Sequence, residues 1–319
     1  MDDRMLSGAP FLHAGSSTRR IMLDVILSLT PAVIAALVIF GARSFLLICI
    51  SAAACAAVEF AACKLLKRKN SAGDLSAVVT GVLLALTVPV SLYPPLILIG
   101  AVAAIFFVKM LFGGLGKNYV NPALAGWAVL TLIFPGRMTA WTKAFGYLGS
   151  ADAATTATPL ANVSTINSAE TPGIPELIVG LHGGSIGETC AGALILGGIY
   201  LTARRVITPV IPAVFLGTAA LISLIAGRNI LTELCSGGLL LGAIFMATDY
   251  TASPVTFKGQ LIYAFGCGLV TMLIRILTPL PEGTGIAILL MNLLTPLIDR
   301  IAIARPFGVR SRFRGGKAA

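Results

Sequence analysis

Residues 81–90 read GVLLALTVPV. Apolar side chains follow one another there without alternation. A transmembrane barrel strand needs segments of about ten residues of alternating polarity, so this stretch argues against a barrel. Residues 261–270, LIYAFGCGLV, read the same way. Such runs are expected of helices surrounded by apolar material on every side. The whole chain is of this kind: 57% of its residues are hydrophobic, 11% are charged and the mean hydropathy is +0.93. Soluble globular domains are far more polar, and the composition therefore predicts an all-α integral membrane protein.

An apolar helix of about 20 residues crosses a bilayer, and such runs recur between short connectors rich in Gly, Pro or charge. They predict ten spans, at about residues 21–41, 44–66, 75–92, 95–112, 121–135, 186–203, 207–226, 230–247, 260–278 and 284–303. Arg19 and Arg20 precede the first run as in a secretory signal. That run is longer than a usual signal core and a second span follows at once, so it is expected to stay in the membrane. The chain accordingly divides into a five-helix half (1–135), a more polar loop (136–185), a second five-helix half (186–303) and a basic tail (304–319).

Basic residues accumulate on the cytoplasmic side of membrane proteins. With the N-terminus inside, eighteen of the twenty-three Lys and Arg residues fall inside or at the inner boundary, and only Arg43, Arg137, Lys143, Arg228 and Arg275 fall outside. Both termini are then cytoplasmic and 136–185 faces outward. The net charge of +10 reads as a cytoplasmic face set against anionic lipid, rather than a nucleic-acid surface. Five spans on either side of an outer loop give the halves opposite orientation, which allows a 5+5 inverted repeat. The strings that begin at Gly81 and Gly238 both run through a Leu-rich core and Thr to Tyr and Pro, which either such a repeat or chance similarity between two apolar strings would give.

Cys49, Cys55, Cys63, Cys190, Cys235 and Cys267 lie in or at the ends of spans with no C-x-x-C pair, so they read as small apolar residues rather than cluster ligands. Asp24, Arg275 and Asp299 lie near span ends. Glu59 is deeper, and two readings stay open for it: neutralisation by Lys67, or a place on a cation pathway.

Two connectors are chemically richer than the rest. FGGLGKNYVNPALAG, residues 112–126, is neither a phosphate loop nor a dinucleotide fingerprint, because Asn118 follows Lys117 and Tyr119 stands where the last Gly belongs. It reads as a tight hairpin or as a contact site for a planar heterocycle. In the second reading Gly114 and Gly116 bring backbone close, and Asn118 and Asn121 donate and accept hydrogen bonds. FMATDYTASPVTFKG, residues 245–259, offers Thr248 and Asp249 at the end of a span, with Thr251 and Ser253 as candidate caps. In the outer loop, ADAATTATPLANVST at 151–165 sets threonines among small residues, and Pro159 discourages a helix through Thr158. From composition alone this is an accessible Ala- and Thr-rich segment.

Asp152, Thr155, Ala157 and Thr158 match the order D-x-x-[ST]-x-A-T, which is similar to the flavinylation motif whose final threonine a flavin transferase esterifies with the phosphate of FMN. The family usually has Gly where Thr156 stands. GGLGKNYVNPA and FMATDYTASP resemble the hallmark segments of the same proteins, the RnfD/NqrB family of membrane subunits of flavin-containing redox pumps. Three motifs in the right order extend the resemblance over nearly the whole chain, and its compact length and short N-terminus look more like the RnfD branch.

The resemblance implies covalent FMN on Thr158 and a second, noncovalent flavin (riboflavin) in the membrane, for which Gly114, Gly116, Asn118 and Asn121 are candidate contacts. It also implies other Rnf-type subunits and a flavin transferase as partners, a prokaryotic cytoplasmic membrane, and coupling of electron flow to Na+ or H+ movement. Arg137, Lys143 and the amides of Gly183 and Gly184 are candidate partners for the flavin phosphate. With no dinucleotide fingerprint, no iron–sulfur cysteine spacing and no large soluble domain, the chain is expected to act within a complex and not alone. A flavin-free solute transporter on the same scaffold, an NqrB-type subunit and a structural anchor are the competing readings.

Overall fold

The computed structural model describes residues 17–68, 71–148, 160, 173–278 and 283–302, and no β-strand occurs among them. Numbering only the apolar helices, the first half holds α1 (Thr18–Phe40), α2 (Ala42–Leu65), α3 (Ser76–Leu86), α4 (Pro94–Val102, continued as a π-helix over Ala103–Met110) and α5 (Pro122–Ile133). The second half holds α6 (Ala191–Ala203), α7 (Val210–Ile225), α8 (Leu239–Leu241, continued as a π-helix over Gly242–Met246), α9 (Phe257–Leu277) and α10 (Thr284–Ala302).

The chain is a multi-pass membrane protein by these helices. By length and composition, α1, α2, α9 and α10 are long enough to cross a membrane, whereas α3 to α7 are apolar but shorter and α8 is shorter still. Each predicted run therefore contains a helix, yet several helices break before the run ends. α3 stops at Leu86 because Pro89, Pro94 and Pro95 follow closely and proline cannot continue the ladder. The run 230–247 is interrupted by Ser236 and Gly237, the latter at φ 64°, between a short helix (Ile230–Cys235) and α8.

Packing follows small residues, as expected where lipid is as apolar as leucine. α2 lies on α3 at Gly81, where an added Cβ would come within 2.6 Å of the Ala52 Cα, and the Ser51 hydroxyl donates to the Gly81 carbonyl at 2.7 Å. α1 crosses to the second half and lies on α6, its Ser28 carbonyl seated against Gly197. Asp24 of α1 joins the same seam: it accepts from the Tyr200 hydroxyl at 3.0 Å and pairs with Arg204 at 3.4 Å. α7 packs on α9, α9 on α10, and α5 touches α10.

The broken helices leave backbone groups that need partners. The segment between Leu181 and Cys190 enters the protein and supplies them: Gly187 N–H donates to the Leu86 carbonyl (2.8 Å) and Ile186 N–H to the Val88 carbonyl (3.1 Å). Near it, Arg275 and Glu233 form a buried pair. The Arg275 guanidinium donates to a Glu233 carboxylate oxygen (3.0 Å) and to the Glu233 (2.7 Å) and Ser236 (3.0 Å) carbonyls. Arg228 reaches the other Glu233 oxygen at 3.0 Å.

Candidate functional site

The two rich connectors converge. Between them, α1, α3, α4 and α6 line a cleft of about 100 Å³ that opens to the outside. Its walls are apolar: Ile21, Met22 and Val25 of α1, Val79 and Leu83 of α3, Leu201 of α6, with Leu115, Ile207 and Phe245. Its polar lining comes from Ser76, Lys109, Asn118, Asn121, Thr248, Asp249 and Thr251.

The local sequence explains each position. Gly113, Gly114 and Gly116 have φ of 125°, 95° and 88°, a region that penalises a Cβ, and they turn the chain sharply after the π-helix. Gly114 and Gly116 do not line the cleft and an added Cβ would meet nothing there, so their part is to shape the turn while Leu115 between them forms the wall. Asn118 and Asn121 line it, but their amides are engaged in holding the connectors together. Asn118 donates to the Thr251 hydroxyl (2.6 Å) and the Val120 carbonyl (3.1 Å). Asn121 caps α5 by accepting from Ala123 and Leu124 N–H, and it donates to the Met246 carbonyl at 3.2 Å.

Thr251 also donates to Asp249 at 2.9 Å, so a hydrogen-bond chain runs Asn118, Thr251, Asp249. Burial pushes the Asp249 carboxyl above its ordinary value, and the Thr251 N–H and hydroxyl oppose that rise. The capping expectation for Thr251 and Ser253 gives way to Thr256, whose hydroxyl accepts from Gly259 N–H at 3.1 Å at the start of α9.

Lys109 is the residue the sequence hid. It lies 2% exposed within the π-helix, lines the cleft, and donates to Glu59 (2.8 Å) and to the Ser76 hydroxyl (2.5 Å). Ser76 in turn donates to Asp74 at 2.5 Å, and Ser71 donates to the second Glu59 oxygen at 2.5 Å. Glu59 is fully buried, and its counter-charge is Lys109, fifty residues away, rather than Lys67. Lys67 stands exposed past the end of α2 at φ 51°.

A smaller cavity, about 20 Å³, lies where α3, α8 and α10 meet, lined by Thr87, Glu188, Gly238, Gly242 and Thr284. His182 is buried, six residues before Glu188 in sequence. Desolvation lowers its pKa, its Nδ1 meets the Gly183 carbonyl at 3.1 Å, and its Nε2 has no hydrogen-bond partner among the described residues. Arg137 and Lys143 are exposed. Asp152, Thr155, Ala157 and Thr158 lie outside the described residues.

Interrupted apolar helices around a cleft on which two connectors converge mark a polytopic membrane protein. The chain belongs to the NQR2, RnfD, RnfE family, whose model matches residues 5–308. It is 44% identical over 315 residues to the D subunit of the Na(+)-translocating ferredoxin:NAD(+) oxidoreductase complex of Acetobacterium woodii, covering 98% of each chain. It is 37% identical to the D subunit of the proton-translocating ferredoxin:NAD(+) oxidoreductase complex of Clostridium ljungdahlii over 96% of each. It is also 35% identical to the D subunit of the ion-translocating oxidoreductase complex of Rhodobacter capsulatus over 86% of each.

Proposed function

We propose that this chain is the D subunit of an ion-translocating ferredoxin:NAD oxidoreductase complex in a prokaryotic cytoplasmic membrane. In this reading it carries FMN esterified to Thr158 on the outer side and a noncovalent flavin in the cleft between the connectors, and it couples electron flow to Na+ or H+ movement. Ten membrane passages in a 5+5 inverted arrangement, with both termini cytoplasmic, belong to the same proposal. The other subunits of the complex and a flavin transferase are its partners.

The observation that carries the reading is the convergence of residues 112–126 and 245–259, distant in sequence, on one cleft with apolar faces and a polar edge. That lining suits a planar heterocycle with hydrogen-bonding groups along one side. A bound flavin supplies one- and two-electron transfer. The chain's residues would hold it: Val79, Leu83 and Phe245 would supply an apolar wall that excludes water, and Lys109, paired with Glu59, would supply a hydrogen-bond donor at the polar side. The Asn118, Thr251 and Asp249 chain keeps the second connector in register.

Two measurements test the two flavins separately. Thr158→Ala, coexpressed with a flavin transferase, is expected to lose in-gel flavin fluorescence after denaturation, and a fluorescent band in that variant overturns the attachment site. Val79→Trp, which fills the cleft, is expected to lower the flavin released by acid precipitation while the in-gel band persists. Unchanged release places the second flavin elsewhere.

A further inference from the structure

The cavity of about 20 Å³ lies where interruptions of the apolar helices meet. Thr87 follows the last residue of α3, Gly238 stands at the break before α8, and Thr284 opens α10. Glu188 comes from the segment between Leu181 and Cys190, whose N–H groups serve the end of α3. Glycine lets that carboxylate reach the wall: a Cβ added at Gly238 would come within 2.6 Å of Glu188 Oε1. Four distant parts of the chain thus share one small enclosed space.

Three observations define what it can hold. First, a volume of about 20 Å³ admits one water-sized occupant. Second, its side-chain oxygens are the Glu188 carboxylate and the Thr87 and Thr284 hydroxyls, and no Lys, Arg or His lines it. Arg275, beside the neighbouring Gly237, is engaged by Glu233 and by the Ser236 carbonyl. Third, Thr284 is 3% exposed and lines the cavity, yet its hydroxyl has no hydrogen-bond partner among the described residues. The Thr87 hydroxyl gives its proton to the Leu84 carbonyl at 2.8 Å, which leaves its oxygen as an acceptor. One negative charge and two hydroxyl oxygens around so small a space suit a hard monovalent cation, whereas a divalent ion takes more oxygen ligands. Interrupted membrane helices hold Na+ in such places.

We propose that this cavity binds a dehydrated Na+ ion through the Glu188 carboxylate and the Thr87 and Thr284 hydroxyl oxygens. The site deepens the ion-coupling part of the function proposed above and depends on neither flavin. It is also tied to the cleft. Met246 lines the cavity, and its carbonyl accepts from Asn121 of the cleft at 3.2 Å, so an occupant of either space bears on the same π-helical turn, Gly242–Met246.

The test uses the full chain purified in detergent and titrated with NaCl, KCl or choline chloride at constant ionic strength. Trp127 lines the cavity and Trp141 is the only other tryptophan, so a Trp141→Phe background makes fluorescence a local reporter. Na+ is expected to give a saturable change that K+ and choline do not reproduce, and to raise the unfolding temperature of the wild-type chain. Thr284→Val, which removes only the hydroxyl, is expected to weaken the apparent Na+ affinity about tenfold, and Glu188→Gln to abolish it. Should Glu188→Gln not fold, Thr87→Val supplies the second variant, with a weakening of about the same size expected. An equal response to all three salts, the absence of both a fluorescence and a thermal response, or an unchanged affinity in Thr284→Val overturns the proposal. The in-gel flavin band is measured on the same samples and is expected to persist in each variant, so a failure of the Na+ site and a failure of the flavin reading are told apart.

Discussion

Glu59 with Lys109 and Glu233 with Arg275 are both buried carboxylate–cation pairs, one in each half, and they are built differently. Arg275 is held by a carboxylate and by two backbone carbonyls, those of Glu233 and Ser236, at the break that precedes α8. The planar guanidinium matches that set of acceptors and locks the break in place. Lys109 meets only side chains, Glu59 and Ser76, and one side of it faces a cleft. One cation closes backbone that a broken helix left open. The other lines a cavity wall with its charge already matched by Glu59. Burial of an ion pair by itself says nothing about which of these jobs it does.

Removing the cation should show the difference most strongly in the second half. Arg275→Met leaves Glu233 with only Arg228 and strips two carbonyls of a donor, for an expected loss of about 3–5 kcal/mol measured by thermal unfolding in detergent. Neutralising the partner as well, in Glu233→Gln/Arg275→Met, should recover little, because the carbonyls stay unsatisfied. Lys109→Met should cost somewhat less, about 2–4 kcal/mol, and Glu59→Gln/Lys109→Met should return to within about 1 kcal/mol of wild type, since no backbone group depends on the pair. Equal rescue in both double variants would show that the two pairs do the same job.

Smaller effects are expected around the cleft. Asn121→Ala removes a helix cap and the tie to the Met246 carbonyl, for an expected loss of about 1–2 kcal/mol. Asp249→Asn should be the mildest. The folded protein holds this carboxyl above its ordinary 3.8, so the neutral form is the one the fold favours. The resulting stabilisation is present below that value and is lost as pH rises through the folded pKa. Wild-type stability should therefore fall relative to Asp249→Asn as pH increases from about 4, with the two curves parallel once Asp249 is ionised. A difference that grows in the opposite direction would mean the carboxylate is stabilised by a nearby positive charge.

The helical class and the long helices α1, α2, α9 and α10 were legible in the sequence because an unbroken apolar run leaves lipid-buried helix as the satisfied state. The short helices were not, since hydropathy averages over Thr87 to Tyr93 and over Ser236 and Gly237 without registering that the ladder stops there. Asn118 and Asn121 were legible as special, and their position on the cleft followed. Their amides bind the connectors to each other, which depends on a partner segment 125 residues away that no local spacing reveals. Lys109 looked like a boundary charge. The π-helix and its pairing with Glu59 are properties of packing, and a hydropathy profile carries no signal for them.

The two hydrogen bonds from Ile186 and Gly187 to the carbonyls of Val88 and Leu86 set an order of events during synthesis. When α1 to α5 have left the ribosome, the frayed end of α3 still lacks its donors, which lie about a hundred residues further along the chain than α3 itself. The first half is then expected to wait in a provisional state in the membrane, its acceptors met by water or by the insertion machinery, until the 181–190 segment docks. A nascent chain stalled shortly before residue 181 should remain sensitive to membrane-embedded proteases and chaperones, whereas one stalled after α6 should not. The point of commitment in this protein's biogenesis is expected past the middle of the chain, in the segment between Leu181 and Cys190.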